Sequence, residues 1–269
     1  MKLACGVISI CVALTAGNPV PTLAQDIFPS TQSPNLPTTS GLRSGRWLFE
    51  ISHRFVPAIV EGRTALWGID GPVYNRLGLA FMPRQGVMVG VQRTNLDDNL
   101  ELNAKARLLD VQLGDVPIEA SAMMGIAWNS DAFAVEGVRD NESQFYVQAI
   151  VNARVLERVA VGVVPTWIRN PRIRDVDVLN AIAVGLQGQV VLSSSVSALG
   201  EWVISEDIQD RGHDTGTFGV EFRTRGHFFK LLVTNQVLMN PTQYLAGSFS
   251  GFQLDELRFG FNVQRVLSF

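Results

Sequence analysis

The chain of 269 residues has little thiol or imidazole chemistry to offer: two cysteines, Cys5 and Cys11, and three histidines. Both cysteines fall within residues 1–24, which read as a cleaved secretory signal, so the rest of the chain has no disulfide, thiolate metal site or nucleophilic cysteine. His53, His213 and His227 lack metal-ligand spacing, and no Gly-x-Ser-x-Gly elbow is present, so neither a metal nor another cofactor is expected. Neither sign of charge dominates. Lys and Arg number 22 against 25 Asp and Glu, a net charge of −3, which argues against a nucleic-acid partner. Beyond residue 24 no apolar run reaches the roughly 20 residues that a transmembrane helix needs. There is no internal repeat and no composition shift that would mark a second folded domain.

The signal is read from Lys2, the apolar stretch Ala4 to Ala16, and Thr22-Leu23-Ala24 before Gln25. Gly17, Asn18, Pro19 and Pro21 break that stretch too early for an anchor, and Ile10 beside Cys11 does not suit lipidation. Residues 25–45 are rich in Pro, Ser and Thr without periodicity, and are expected to be a disordered periplasmic leader. Residues 46–269 carry the fold.

What the chain does have is apolar surface. Hydrophobic residues make up 46% of it and its mean hydropathy is positive, which is high for a secreted soluble chain. A barrel whose exterior faces lipid resolves that tension. The last strand shows the pattern: Phe259, Phe261, Val263, Leu267 and Phe269 share one face, broken once by Arg265, and Arg258, Asn262, Gln264 and Ser268 share the other. An ending on an aromatic residue resembles the recognition signal of outer-membrane assembly, so Phe259, Phe261 and Phe269 point to the assembly machinery as a partner and to the bacterial outer membrane as the location. Period-2 segments are expected near 46–55, 76–83, 87–93, 99–109, 117–127, 142–152, 158–168, 178–188, 195–205, 215–223, 227–234 and 256–269. Residues 56–75, 128–141, 169–177, 206–214 and 235–255 are long connections at odd positions, which suits outer loops above short periplasmic turns, although the third connection at 94–98 is short. The fold class is therefore all-β: a single antiparallel transmembrane β-barrel of about 12 strands, wound up and down, with both termini periplasmic.

Alternation sends Glu50, Ser52, Arg54, Arg76, Gln92, Glu101, Asn103, Lys105, Arg107, Glu119, Ser121, Glu221, Arg223, Lys230, Arg258, Asn262 and Gln264 to the lumen. Mixed signs with no cluster of one kind favour a charge ladder that fills a narrow barrel over a selectivity filter. Ser52 and His53 are neighbours on a strand, so they point to opposite faces and cannot form a nucleophile and base. Trp47, Trp128, Trp167 and Trp202 near strand ends suit the aromatic girdles of a membrane barrel.

His53-Arg54-Phe55, then Leu66-Trp67-Gly68-Ile69-Asp70, Arg76-Leu77-Gly78-Leu79, and Lys105-Ala106-Arg107-Leu108-Leu109 with Gln112, follow one another in an order that resembles a bacterial outer-membrane-type β-barrel family catalogued as domain of unknown function 5777. Ala106 stands where that family carries an aromatic residue. The resemblance implies a membrane barrel, and no activity or catalytic residue. Within this motif the first loop is expected to fold inward, with Gly68 permitting a tight backbone and Asp70 anchored on Arg54, Arg76 and Lys105. The rival reading takes Asp70-Gly71-Pro72 as a surface turn. Passage of a small polar solute through a narrow, partly plugged lumen is the leading function. A closed docking barrel with loop-bound partners and a lipid hydrolase are the alternatives, and a soluble β-sandwich is the residual fold.

Overall fold

The computed structural model describes residues 26–130, 143–171, 179–206 and 212–268. The expected signal and Phe269 lie outside the described residues. Twelve antiparallel strands among the described residues form one closed meander: β1 (Trp47–Phe55), β2 (Val73–Arg84), β3 (Val87–Thr94), β4 (Asn99–Leu113), β5 (Val116–Asn129), β6 (Ser143–Leu156), β7 (Val159–Arg169), β8 (Asn180–Val191), β9 (Val196–Ser205), β10 (Thr215–Thr224), β11 (His227–Thr234) and β12 (Arg258–Leu267). Closure pairs β1 with β12, Trp47 against Leu267 through Arg54 against Gly260, so the sheet has no open edge there.

Side-chain alternation positions everything that follows. Along β4, Glu101 and Lys105 are buried and Leu100 and Leu102 are exposed. The outward residues of the other strands, among them Leu77, Val91, Val163, Leu186 and Leu231, are likewise exposed and make the apolar belt of a membrane barrel. His53 belongs to that outer face, stacked on Phe261 with ring centroids 4.6 Å apart. Trp47 stacks outside on Phe81 at the other end of the same strand.

The short turns, the start of β1 and the end of β12 share one mouth, the turn end; the longer connections share the other, the loop end. At the turn end the β4–β5 hairpin outruns its neighbours, since β3 pairs with β4 only as far as Val87 against Ala106. Gln112, expected with the lumen-lining and family-motif residues, sits exposed near that hairpin tip, outside the lumen.

Candidate functional site

The lumen is occupied by the chain itself, from both ends. Residues 27–42, expected as a disordered leader, enter at the turn end, reverse tightly, and leave to join β1. Ser33 N donates to Leu36 O at 2.8 Å and Thr38 N to Thr31 O at 3.1 Å, which closes the reversal. Phe28 and Leu36 are fully buried, as are Thr38, Thr39 and Ser40. The composition that reads as disorder, many hydroxyls and few apolar groups, serves equally well where the surroundings are a polar wall.

Side chains from around the barrel hold this segment. The Lys105 ammonium on β4 donates to Thr38 O and Ser40 O, both at 2.7 Å, and to Thr31 O at 3.4 Å. Lys230 on β11 donates to Gln32 O at 2.5 Å and Ser33 O at 3.2 Å, with Glu221 3.5 Å away. The Glu201 carboxylate on β9 accepts the main-chain N–H groups of Asn35 and Leu36, each at 2.9 Å, and the Asn35 side-chain amide at 2.5 Å. Arg54 donates to the other end of that amide, Asn35 Oδ1, at 2.9 Å. Amide side chains complete the set: Asn262 donates to Pro34 O at 2.7 Å, Gln187 to Pro37 O at 3.0 Å, and Asn152 Oδ1 accepts Thr39 N at 2.7 Å. Gly185 leaves room for the tip, because a Cβ there would stand 2.5 Å from Leu36 Cδ2.

The loop between β11 and β12 closes the other end. Its buried part, residues 235–248, carries the one-turn helix α1 (Pro241–Tyr244). Leu238, Tyr244 and Leu245 pack with Leu36 against Met123, Ile150, Val164, Ile168 and Val203, an apolar inner wall on β5 to β9. Arg76, ion-paired with Glu50, donates to Met239 O, and Thr94 donates to Gln243 Oε1 at 3.1 Å. The two plugs meet where the Tyr244 hydroxyl donates to Asn35 O at 3.2 Å. Burial raises the Tyr244 hydroxyl well above its ordinary value, so it remains a neutral donor.

The first loop does not fold inward. Its 3₁₀-like segment (Ile59–Gly68) stays on the rim with Leu66, Trp67 and Ile69 exposed, and Ile59 N donates to Leu257 O. Gly68 takes φ +90°, and a Cβ there would meet Pro57 O at 2.6 Å, so the tight backbone is real. Asp70 is exposed and bonds none of Arg54, Arg76 or Lys105, because the lumen fillers have taken those donors; the surface-turn reading holds.

Of the motif residues, Arg54, Arg76, Glu101 and Lys105 are brought together in the lumen, and Arg107 is half-buried at the turn-end mouth, bound to Asp26 at 2.8 Å. Glu101 accepts Tyr146 Oη–H at 2.8 Å and Gln92 Nε2–H at 2.6 Å. Sequence reasoning missed Glu201, Asn152, Gln187 and the apolar half of the wall. Their period-2 positions on β6, β8 and β9 were the available signal. Among the described residues no serine hydroxyl is hydrogen-bonded to a histidine, and Ser52 donates to Glu50 at 2.7 Å. A cavity of about 70 Å³ remains beside the leader, lined by Glu50, Arg76, Gln92, Asn103 and Lys105, and wider vestibules open at the turn end.

Residues 28–267 match the family described as membrane bound beta barrel domain (DUF5777). The chain belongs to this family. The match begins inside the leader, so the DUF5777 domain includes the lumen-filling segment as well as the strands. No curated protein matches the chain. Among solved structures, the NanC porin superposes with a TM-score of 0.51 at 9% identity, covering 83% of this chain and 99% of that one. That likeness shows the barrel fold alone. The KdgM porin (TM-score 0.48, 9% identity, 82% and 98% covered) and the outer membrane phospholipase A from Escherichia coli (0.41, 14%, 83% and 89%) are more distant and carry no functional weight.

Proposed function

We infer that this DUF5777 barrel is a gated outer-membrane pore for small polar solutes, held shut by its own leader. The observation that carries this reading is the way residues 27–42 are seated: inside a wall of buried polar groups, through hydrogen bonds that water can replace, and tethered to the barrel through β1 alone among the described residues. The β11–β12 loop adds a larger apolar contact, Leu238, Tyr244 and Leu245 on the wall that Leu36 of the leader also touches, and acts as the fixed constriction. A barrel that never opened would be more stably filled by apolar side chains, since buried charges seldom repay their desolvation. The test is conductance in planar bilayers of the chain from Gln25 onward, with and without residues 26–42. The intact chain should be silent or open rarely, and the shortened one should give steady steps. A folded, heat-modifiable, leaderless barrel that stays silent would move the protein to the second reading, a closed docking barrel. The exposed Val60, Leu66, Trp67 and Ile69 on the loop-end rim favour that alternative.

A further inference from the structure

Much of the lumen's hold on its occupant is on the main chain, beside side-chain bonds to Ser30, Asn35 and Thr39. Lys105, Lys230, Asn262 and Gln187 all donate to backbone carbonyls, of Thr31, Thr38 and Ser40, of Gln32 and Ser33, of Pro34, and of Pro37. Glu201 and Asn152 accept backbone N–H groups, of Asn35 with Leu36 and of Thr39. Groups that read carbonyls and amides in this way read any peptide of suitable backbone course, because the peptide unit is common to all sequences.

Removing the leader makes the demand explicit. The Glu201 carboxylate loses the three hydrogen bonds it accepts from the leader, and Lys105 loses its three carbonyls. Lys230 keeps only Glu221 at 3.5 Å. A buried charge left unpaired is costly, so an emptied lumen favours solutes that replace those bonds. Water can do so, and a peptide does so in the arrangement already built. Donors and acceptors are interspersed around the ring, Lys105 on β4, Asn152 on β6, Gln187 on β8, Glu201 on β9 and Lys230 on β11, so a bound chain must present both carbonyls and N–H groups to the wall. A peptide does this along its length. A sugar of similar size carries no carbonyl array for the ammonium groups.

We propose that the leader is a resident stand-in for the solute, and that the lumen binds and passes short peptides by their main chain. This rests on the gated-pore reading above and names its substrate class.

The experiment keeps the whole chain. A site-specific protease sequence is inserted at Ser44, within the exposed segment 43–45, and the leader is cut after the barrel has folded. End-capped tetraglycine and a neutral trisaccharide of similar mass are then compared, first as agents that release the cut fragment, followed by mass spectrometry, and then for entry into liposomes carrying the cut barrel. The peptide should release the fragment at concentrations at least tenfold lower than the sugar and should enter several-fold faster. Glu201→Gln combined with Lys230→Met should erase the difference between the two solutes. If the fragment leaves on cutting alone, the entry rates decide. Equal behaviour of peptide and sugar, or a preference untouched by the double variant, overturns the peptide assignment and leaves the gate standing. Failure of both solutes to enter once the fragment is gone sinks the gate itself.

Discussion

Glu201→Gln perturbs a hold of three hydrogen bonds on the leader. One carboxylate oxygen accepts the N–H groups of Asn35 and Leu36 and the other accepts the Asn35 side-chain amide. In the variant the carbonyl oxygen keeps the two main-chain donors, but those bonds become neutral, and each loses about 1–1.5 kcal/mol. The new NH₂ then faces the Asn35 NH₂, two donors in contact. Asn35 cannot turn its amide over to relieve this, because its Oδ1 is held by Arg54. The orphaned donor adds about 1–3 kcal/mol, for a total near 3 or more. That weakens the closed state roughly 100-fold or more, at about 1.4 kcal/mol per decade. The reporter is Ser33→Cys in the chain from Gln25 onward, which has no other thiol; the Ser33 hydroxyl is buried and makes no hydrogen bond, so the exchange disturbs little. Maleimide labelling of that thiol requires the leader tip to leave the lumen, so its rate follows the opening equilibrium. Glu206→Gln at the loop end is the control and should leave the rate unchanged. If Glu201→Gln labels only a few-fold faster than its parent, the carboxylate is not what keeps the leader in.

Other parts of the same structure give separate tests. Gly185→Val should push Leu36 out, since even a Cβ would stand 2.5 Å from it; labelling at position 33 should rise, and adding Leu36→Ala should recover most of the effect in a double-mutant cycle. Arg76→Met strands the buried Glu50 carboxylate with only Ser52 and Gln264, and should cost the barrel about 3–5 kcal/mol in urea unfolding, with Glu50→Gln added to it restoring part of the loss. In the tight β3–β4 connection the Ser130 hydroxyl, 2.6 Å away, and then Arg93 hold the Asp98 carboxyl below its ordinary value. A depressed carboxylate stabilises the fold above its unfolded pKa and loses that contribution as pH falls through the folded one, so this pin should release only in acid. Ser130→Ala should move the Asp98 titration upward when followed by carboxyl NMR.

The strands were legible because a membrane barrel writes its two faces into alternate residues: Leu100, Leu102 and Ala104 against Glu101, Asn103 and Lys105 could not be a helix without scattering the leucines. The lumen residues on β1, β2, β4, β11 and β12 came with them. The leader was not legible, because Pro, Ser, Thr and Asn without periodicity describe both a solvated tail and a segment bonded to a polar wall. What decides between them is partners such as Asn35 and Glu201, 166 positions apart, which no local pattern connects. The inward loop was assigned to the wrong connection for a related reason. Leu66-Trp67-Gly68-Ile69-Asp70 is conspicuous as a motif, but Asp70-Gly71-Pro72 is ordinary turn chemistry, and Asp70 stays on the surface. The loop that does enter announces itself less, through uncharged polar residues, Asn235, Gln236, Asn240, Thr242 and Gln243, that survive burial by bonding to strand ends.

The two plugs differ in the balance of apolar packing and hydrogen bonding that seats them, and this difference separates the moving part from the fixed one. Lifting Leu238, Tyr244 and Leu245 from their wall would expose apolar surface on both sides, at about 25 cal/mol per Å², with nothing in an aqueous lumen to offset it. Lifting the leader breaks more hydrogen bonds, yet water entering from the turn-end vestibules can remake most of them, so the net loss per bond is near 1 kcal/mol and not the full strength of the bond. Leu36 and Phe28 supply the apolar remainder that keeps the resting state closed. A polar plug in a polar wall can therefore be stable and still exchangeable, whereas an apolar plug of the same length would hold the barrel shut for good.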